Sequence, residues 1–388
     1  MALEKLHAQR GTIAIVGAAE TDRIGKQPEM SALMLHAEGA RNALADAGIA
    51  ASEVDAVLST GRQTANDIPE YLGMRPRYMD NTQMGGCSFI AHLQHAMGLI
   101  NAGIAEVVLI THGESGRSRV GMASTSFTPD SPPGQFEMPF GIGGPATRYA
   151  LAAVRHMHEY GTTREQLAEV AVATRKWASL NPRAAMRDPL TIEDVLNARM
   201  ISWPFGLLDC CLVADGGGAL VVTSAERARD AKQKPVYVLG TGEATTHSII
   251  SQMPRFHVWD AAILSGERAW AMSGVEHDEI DLAMFYDAFT IVPLLSLEAL
   301  GFCGLGESGA FVENQRTAPG GDFPMNTNGG GLSYTHTGMY GMFLLIEAVR
   351  QLRGGCGERQ VEGAKTAICH GTGGILSAAA TAILSTER

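Results

Sequence analysis

Four short stretches of the 388-residue chain carry the side chains best suited to covalent or acid–base chemistry. In NTQMGGCSFIAHLQHAMGLINAG (81–103), Cys87 follows two glycines and precedes a run in which Phe89, Ile90, Leu93, Met97 and Ile100 recur at three- and four-residue spacing. That spacing predicts one face of an amphipathic helix. Cys87 then falls in its first turn, where unpaired N–H groups and the positive end of the dipole favour a thiolate. The expected chemistry is that of an activated, solvent-reachable nucleophile. The plainer expectation is a small buried residue at a tight strand-to-helix turn, a common place for a free cysteine.

The other three stretches are FYDAFT (285–290), NTNGGGLSYTHTGMYG (326–341) and CHGTGG (369–374). The second sets Asn326, Asn328 and three glycines before His336, a pattern suited to bringing one imidazole close to a ligand, or else a turn with an incidental histidine. The third ends an apolar run with His370 and then Gly371, Gly373 and Gly374, whose N–H groups could face an oxyanion. The same glycines equally suit a tight turn before a buried strand.

Elements that could position these residues follow from the apolar pattern. Strands are expected at 12–17, 54–59, 106–111, 218–224, 235–239, 280–286, 366–369 and 377–384, with helices between them at 30–48, 88–103, 259–274, 290–301 and 338–353. Alternating strands and helices argue for α/β layers. The chain also repeats itself. GIAASEVDAVL (48–58) and GVEHDEIDLAM (274–284) share a register, and AEVVLITHGESG (105–116) and AKTAICHGTGG (364–374) both run from an apolar strand into a His-Gly pair. Such a long-period duplication predicts two halves packed about a pseudo-twofold axis, with sites assembled between them. Between 116 and 205 the alternation stops: a Pro- and Gly-rich stretch (124–147) leads to helix patterns at 146–160, 164–179 and 191–199. This reads as a loop domain inserted into the first half, a usual place for substrate recognition. The expected division is therefore 10–230, including the insert 116–205, and 231–388.

Composition narrows the function classes. Apolar residues make up 45% and charged residues 18%, which describes a well-packed globular chain, and a net charge of −11 argues against nucleic acid as a partner. No apolar run reaches the length of a membrane span, and the N-terminal residues lack a signal-like apolar core. The six cysteines form no CxxC pair, and His92 with His95 lacks further ligands at zinc-like spacing. A reduced, cytoplasmic protein without a metal is expected.

Taken together, the motifs resemble the thiolase superfamily across essentially the whole chain. NTNGGGLSYTHTG is similar to that family's Asn-x-x-Gly-Gly signature and histidine motif, LLDCCLVADGGGALVVTS (207–224) to its Asp-Gly-Ala strand region, and Cys87 falls at the acyl-accepting cysteine. The resemblance implies a duplicated thiolase fold: two pseudo-twofold-related halves rich in βαβ units, forming five layers, with the inserted loop domain. It implies an acyltransferase that cleaves a 3-oxoacyl-CoA through an acyl-cysteine, with coenzyme A as substrate and no bound cofactor. In that reaction His336 would take the proton of Cys87, and the N–H groups of Cys87 and Gly373 would hold the oxyanion. Tyr286 or His370 would protonate the leaving enolate. Several positions depart from an ordinary thiolase. The usual Gly-His-Pro is Thr335-His336-Thr337, the Asn-Glu-Ala-Phe loop is Tyr286-Asp287-Ala288-Phe289, and Gly371-Thr372-Gly373 replaces the Cys-x-Gly that carries a second thiol. These departures are similar to the sterol-carrier-protein-type branch that works beside a small OB-fold, zinc-ribbon acyl-CoA-binding subunit. That branch includes true thiolases and retro-aldolases acting on 3-hydroxyacyl-CoA. Many of its retro-aldolases lack the cysteine but keep a tyrosine like Tyr286. This chain has both, with His336, so thiolytic cleavage is the first expectation, retro-aldol cleavage the alternative, and a non-catalytic acyl-CoA- or lipid-binding scaffold the third. A homodimer is implied, with the small subunit giving a heterotetramer. The CoA phosphates would meet basic residues of the insert, among them Arg175, Lys176, Arg183 and Arg187.

Overall fold

The computed structural model describes residues 2–61, 66–120 and 129–388. The first five residues of the Pro- and Gly-rich stretch, 124–128, lie outside them. The first half contributes β1 (Ile13–Glu20), β2 (Ala56–Ser59), β3 (Tyr78–Asn81) and β4 (Val107–Ser115). A short hairpin of the insert, β5 (Met200–Ser202) and β6 (Phe205–Gly206), precedes β7 (Asp215–Ser224). The second half supplies β8 (Val236–Thr245), β9 (Leu282–Phe285), β10 (Thr366–Gly373) and β11 (Ala378–Ser385). The long strands are continuous apolar runs because both faces are covered, as expected for sheets between helix layers.

Nine of these strands join in the order β3-β2-β4-β7-β1-β8-β11-β10-β9. Read outward from the centre, β1-β7-β4-β2 in one direction matches β8-β11-β10-β9 in the other, with the same alternation of antiparallel and parallel pairs. The duplication read from the sequence is thus a duplication of topology. Its pseudo-twofold passes between β1 and β8, which pair antiparallel through Ala14 with Tyr237 and Ile15 with Val236. β3 answers to no expected strand. It lies at the sheet edge with Met79 and Asn81 exposed, so its sequence has no apolar run to reveal it.

Two outer helices, Ala32–Ala47 and Asp260–Ser273, cover the two half-sheets, the first on β1, β4 and β7 and the second on β8 and β11. Between the half-sheets lie Ser88–Asn101 and Gly341–Leu352, each touching strands of both halves and each other. The five layers are helix, sheet, paired central helices, sheet, helix. The central helices are apolar nearly all round; in Gly341–Leu352 every residue except Arg350 is buried. The buried Glu347 is held there by Arg359, whose Nε and Nη2 lie 2.9 and 3.0 Å from its carboxylate. Such an ion pair tolerates burial only because it is closely paired. The insert contributes helices Pro145–Tyr160, Arg164–Ser179 and Ile192–Asn197, packed beside the second half. No helix among the described residues is long and apolar enough to cross a membrane.

The outer helix Ala32–Ala47 approaches β7 so closely that a Cβ at Gly39 would lie 2.9 Å from the Cα of Gly218. Overpacking of this kind costs about 1–3 kcal/mol. Gly39→Ala should therefore lower the unfolding free energy by that amount in a denaturant titration. At the exposed helical position Gly98, where an added Cβ meets nothing, Gly98→Ala should raise it by up to about 1 kcal/mol.

Candidate active site

The site lies where the two central helices begin. Their starts touch: the Gly341 N–H donates to the Gly86 carbonyl at 3.2 Å, and a Cβ at Gly341 would stand 2.3 Å from that oxygen. After β9 the chain enters Tyr286-Asp287-Ala288-Phe289. The Asp287 carboxylate, fully buried, accepts the N–H groups of Gly331 at 2.6 Å and Leu332 at 3.2 Å. Burial pushes its carboxyl up to about 7 against the pull of those donors. Asp287 thus anchors the glycine-rich loop, which passes through a π-helical turn over Gly330–Tyr334 and delivers His336. A Cβ at Gly330 would fall 2.0 Å from the Asp287 carboxylate, so the loop closes only on glycine there. Asn328 adds a second anchor, its Oδ1 accepting from the Gly330 N–H at 2.9 Å and the Tyr340 hydroxyl at 2.8 Å.

The Tyr286 ring lies over Gly86, where any side chain would strike it. Its hydroxyl oxygen accepts the Tyr340 N–H at 3.0 Å and lies 2.9 Å from Nε2 of His336. With the oxygen engaged by Tyr340, the phenolic proton is assigned to the Tyr286–His336 bond and Nε2 is the acceptor. Burial holds Tyr286 well above the ordinary phenol range and brings His336 down to about 4. At neutral pH the pair is a neutral phenol hydrogen-bonded to a neutral imidazole.

Both residues border a cavity of about 660 Å³. Its walls are mostly apolar, with Ile201, Leu207, Leu212, Val213, Phe289 and Ile375, and its polar points include Glu114, Tyr149, Thr337 and Thr372. Cys210 and Cys211 also border it. Cys87 does not. It is fully buried behind Gly86, its thiol donates to the Met84 carbonyl at 3.7 Å, and burial pushes it up to about 12. Desolvation outweighs the helix terminus, so the expectation of an activated, reachable thiol is corrected: the protein's resting Cys87 is a protonated core residue.

A family model, Thiolase C-terminal domain-like, matches residues 242–386. The chain is 37% identical to the 17-hydroxy-3-oxo-4-pregnene-20-carboxyl-CoA lyase of Mycobacterium tuberculosis, over 89% of this chain and 92% of that one. It is 32% identical to the acetyl-CoA acetyltransferase of Methanothermobacter thermautotrophicus, over 96% and 99%. Among solved structures it resembles an Ltp2-ChsH2(DUF35) aldolase with a TM-score of 0.91 and 33% identity, covering 98% of this chain and 99% of that one. The chain belongs to the thiolase superfamily.

The structure brings Tyr286 and His336 together on the cavity wall, while Cys87, Gly373 and His370 lie behind it. His370 is not in a loop. β10 continues through Gly373, so His370 sits within the strand, fully buried, with Nδ1 2.8 Å from the Thr381 hydroxyl and its ring against Trp259 and Phe285. It is brought down to about 3 by burial and does not border the cavity, which corrects its assignment as an acid. Gly373 is likewise withdrawn. A Cβ on it would meet the Met84 carbonyl and the Cys87 sulfur, so that side of the residue faces the Cys87 turn rather than the cavity. Neither Cys87 nor Gly373, the expected oxyanion pair, is among the residues that border the cavity.

Of the basic residues expected to meet CoA, Lys176 is exposed, and Arg175, Arg183 and Arg187 are engaged within the protein. Nη2 of Arg183 donates to the Thr21 carbonyl at 2.6 Å and lies 3.4 Å from the buried Glu20 carboxylate, which Arg350 also reaches at 3.1 Å. Arg175 donates to the Ser333 hydroxyl and the Asp188 carbonyl, and Arg187 to the Ser179 carbonyl. Arg183 is thus a structural clamp on Glu20, not an unoccupied phosphate donor. Tyr149 and Tyr340, both at the site, escaped notice in the sequence. Tyr340 acts through its backbone, and Tyr149 lies in a helix with no motif around it.

Brief alkylation with peptide mapping checks the placement of the thiols. The partly exposed Cys210, Cys211 and Cys303 should label before the buried Cys87, Cys356 and Cys369. Faster labelling of Cys87 would contradict its burial.

Proposed function

We propose that this chain cleaves the C2–C3 bond of a 3-hydroxyacyl-CoA by retro-aldol chemistry, with Tyr286 as the base and His336 as its proton acceptor. One observation carries the reading: Nε2 of His336, which a thiolase would turn toward the cysteine, is hydrogen-bonded to the Tyr286 hydroxyl on the cavity wall. As Tyr286 takes the C3 hydroxyl proton, its own proton passes to Nε2. The C3 carbonyl forms, the C2–C3 bond breaks, and its electron pair passes into the thioester enolate. The N–H of Tyr340, at the start of a helix, favours the negative charge that builds on the phenolic oxygen. The lyase and aldolase named among the relatives support the same reaction class.

Coenzyme A is then part of the substrate, and the apolar cavity suits a bulky hydrocarbon acyl group. We extend the reading to a cytoplasmic homodimer, divided at 10–230 and 231–388 with the insert 116–205, working beside a small OB-fold, zinc-ribbon subunit. The DUF35 component named in the aldolase complex supports such a partner.

Thiolytic cleavage of a 3-oxoacyl-CoA is the second reading, favoured by Cys87 at the start of its helix directly behind the cavity-lining Gly86. It requires the Tyr286 ring to leave Gly86 and His336 to turn to the thiol.

Substitutions separate the two. On a 3-hydroxyacyl-CoA without added CoA, Tyr286→Phe should lower turnover by about 10²–10⁴-fold, the usual worth of a positioned proton transfer. Cys87→Ala should leave it active. CoA-dependent cleavage of a 3-oxoacyl-CoA that Cys87→Ala abolishes, with no cleavage of the 3-hydroxyacyl-CoA by the unsubstituted enzyme, would establish thiolysis instead. The pH profile is a further measure. His336 accepts a proton only while neutral and titrates at about 4, so kcat/KM should stay level from neutrality downward and fall only near pH 4. An acid limb at the ordinary imidazole value, about 6.5, would show a solvated His336.

A further inference from the structure

Retro-aldol cleavage moves two protons, one from the C3 hydroxyl and one to C2, and the Tyr286–His336 pair takes up the first. The positions at which a thiolase would carry the second donor are closed here. A side chain at 371 would run into Cys87 and Ile90 at 3.0–3.3 Å, and His370 points into the core. Another cavity-facing group can fill the donor's place.

The candidates sort by what they touch. The Thr337 hydroxyl donates to the Met339 carbonyl within its own turn, and the Cys210 thiol to the Gly206 carbonyl. Glu114 lies against Gly338, on the His336 side of the cavity. Tyr149 comes from a different element, the helix Pro145–Tyr160 of the insert. Its hydroxyl lies 3.2 Å from the Thr372 hydroxyl and donates to the Gly374 carbonyl only at 3.5 Å, the outer limit of hydrogen bonding, and all three residues border the cavity. Its ring is fixed against Phe289 with centroids 4.9 Å apart. Only 3% of its surface is exposed, and its electrostatic neighbours include Cys87, Cys211 and Tyr286.

We propose that Tyr149 is the catalytic acid that protonates C2 of the departing acyl-CoA enolate, an assignment that rests on the retro-aldol reading. The O–H bond of Tyr149 breaks and a C2–H bond forms, leaving a Tyr149 phenolate and a His336 imidazolium. Solvent returns the proton from imidazolium to phenolate. Burial raises the Tyr149 phenol above its ordinary range and so keeps the proton in place until the enolate appears.

The test is cleavage of a 3-hydroxyacyl-CoA bearing a C2 methyl group, run in deuterium oxide with the full-length enzyme. The unsubstituted enzyme should release propanoyl-CoA with one deuterium at C2 in a single configuration. Tyr149→Phe, which removes one hydroxyl, should lower kcat by about 10²-fold or more with KM little changed. It should also release product of mixed C2 configuration, because solvent then protonates either face. Full kcat, or a slowed reaction that keeps a single configuration, would overturn the assignment of Tyr149 while leaving retro-aldol cleavage standing. Absence of CoA-independent cleavage by the unsubstituted enzyme would overturn both.

Discussion

The site depends on one backbone contact, the hydrogen bond from Gly341 to the Gly86 carbonyl that brings the starts of the two central helices together. Everything reactive is arranged around it. Gly86 leaves room for the Tyr286 ring, Tyr340 turns its N–H onto the phenol, and the loop that ends at Gly341 carries His336. Each central helix comes from a different half of the duplication, so the contact is also where the pseudo-twofold axis becomes functional. Neither half holds a complete set of groups. Tyr286 and His336 come from the second, the Gly85–Gly86 wall from the first, and Tyr149 from the insert.

Burial decides the protonation states at this site more than any partner charge does. It lowers His336 and raises Tyr286, Tyr149 and Cys87. A site built this way holds neutral donors and acceptors at rest. On the proposed retro-aldol reading charge would develop only as protons move, and the helix-terminal N–H of Tyr340 is already aimed at the Tyr286 oxygen where it would develop.

Much of the fold is legible in the sequence because its signals are long. Continuous apolar runs mark the eight principal strands, and repeated registers at 48–58 and 274–284 disclose the duplication. The unmarked strand β3 has polar, exposed residues at a sheet edge, where no pattern is required. The site is legible in part. His336 stands in a loop whose glycines serve a close approach, and Tyr286 directly follows an apolar strand, so both stretches draw attention in the sequence. Cys87 and His370 mislead for a common reason: sequence shows where an element starts or a strand runs, but not which way one side chain turns, and both turn inward. His370 and His112 occupy equivalent places in the repeated strands, and both are buried with a threonine hydroxyl beside a ring nitrogen. Arg183 misleads differently, since its partner Glu20 lies far away in the chain.

The burial of the central helices on all sides bears on how the chain can fold during synthesis. Ser88–Asn101 is covered by β8, β10 and β11, and the last of these ends at Ser385. Until β11 has emerged, this apolar segment has only part of its cover. Transiently exposed apolar surface makes such intermediates prone to association. The same enclosure that gives the finished molecule one shared core thus makes the nascent N-terminal half a natural client for chaperones.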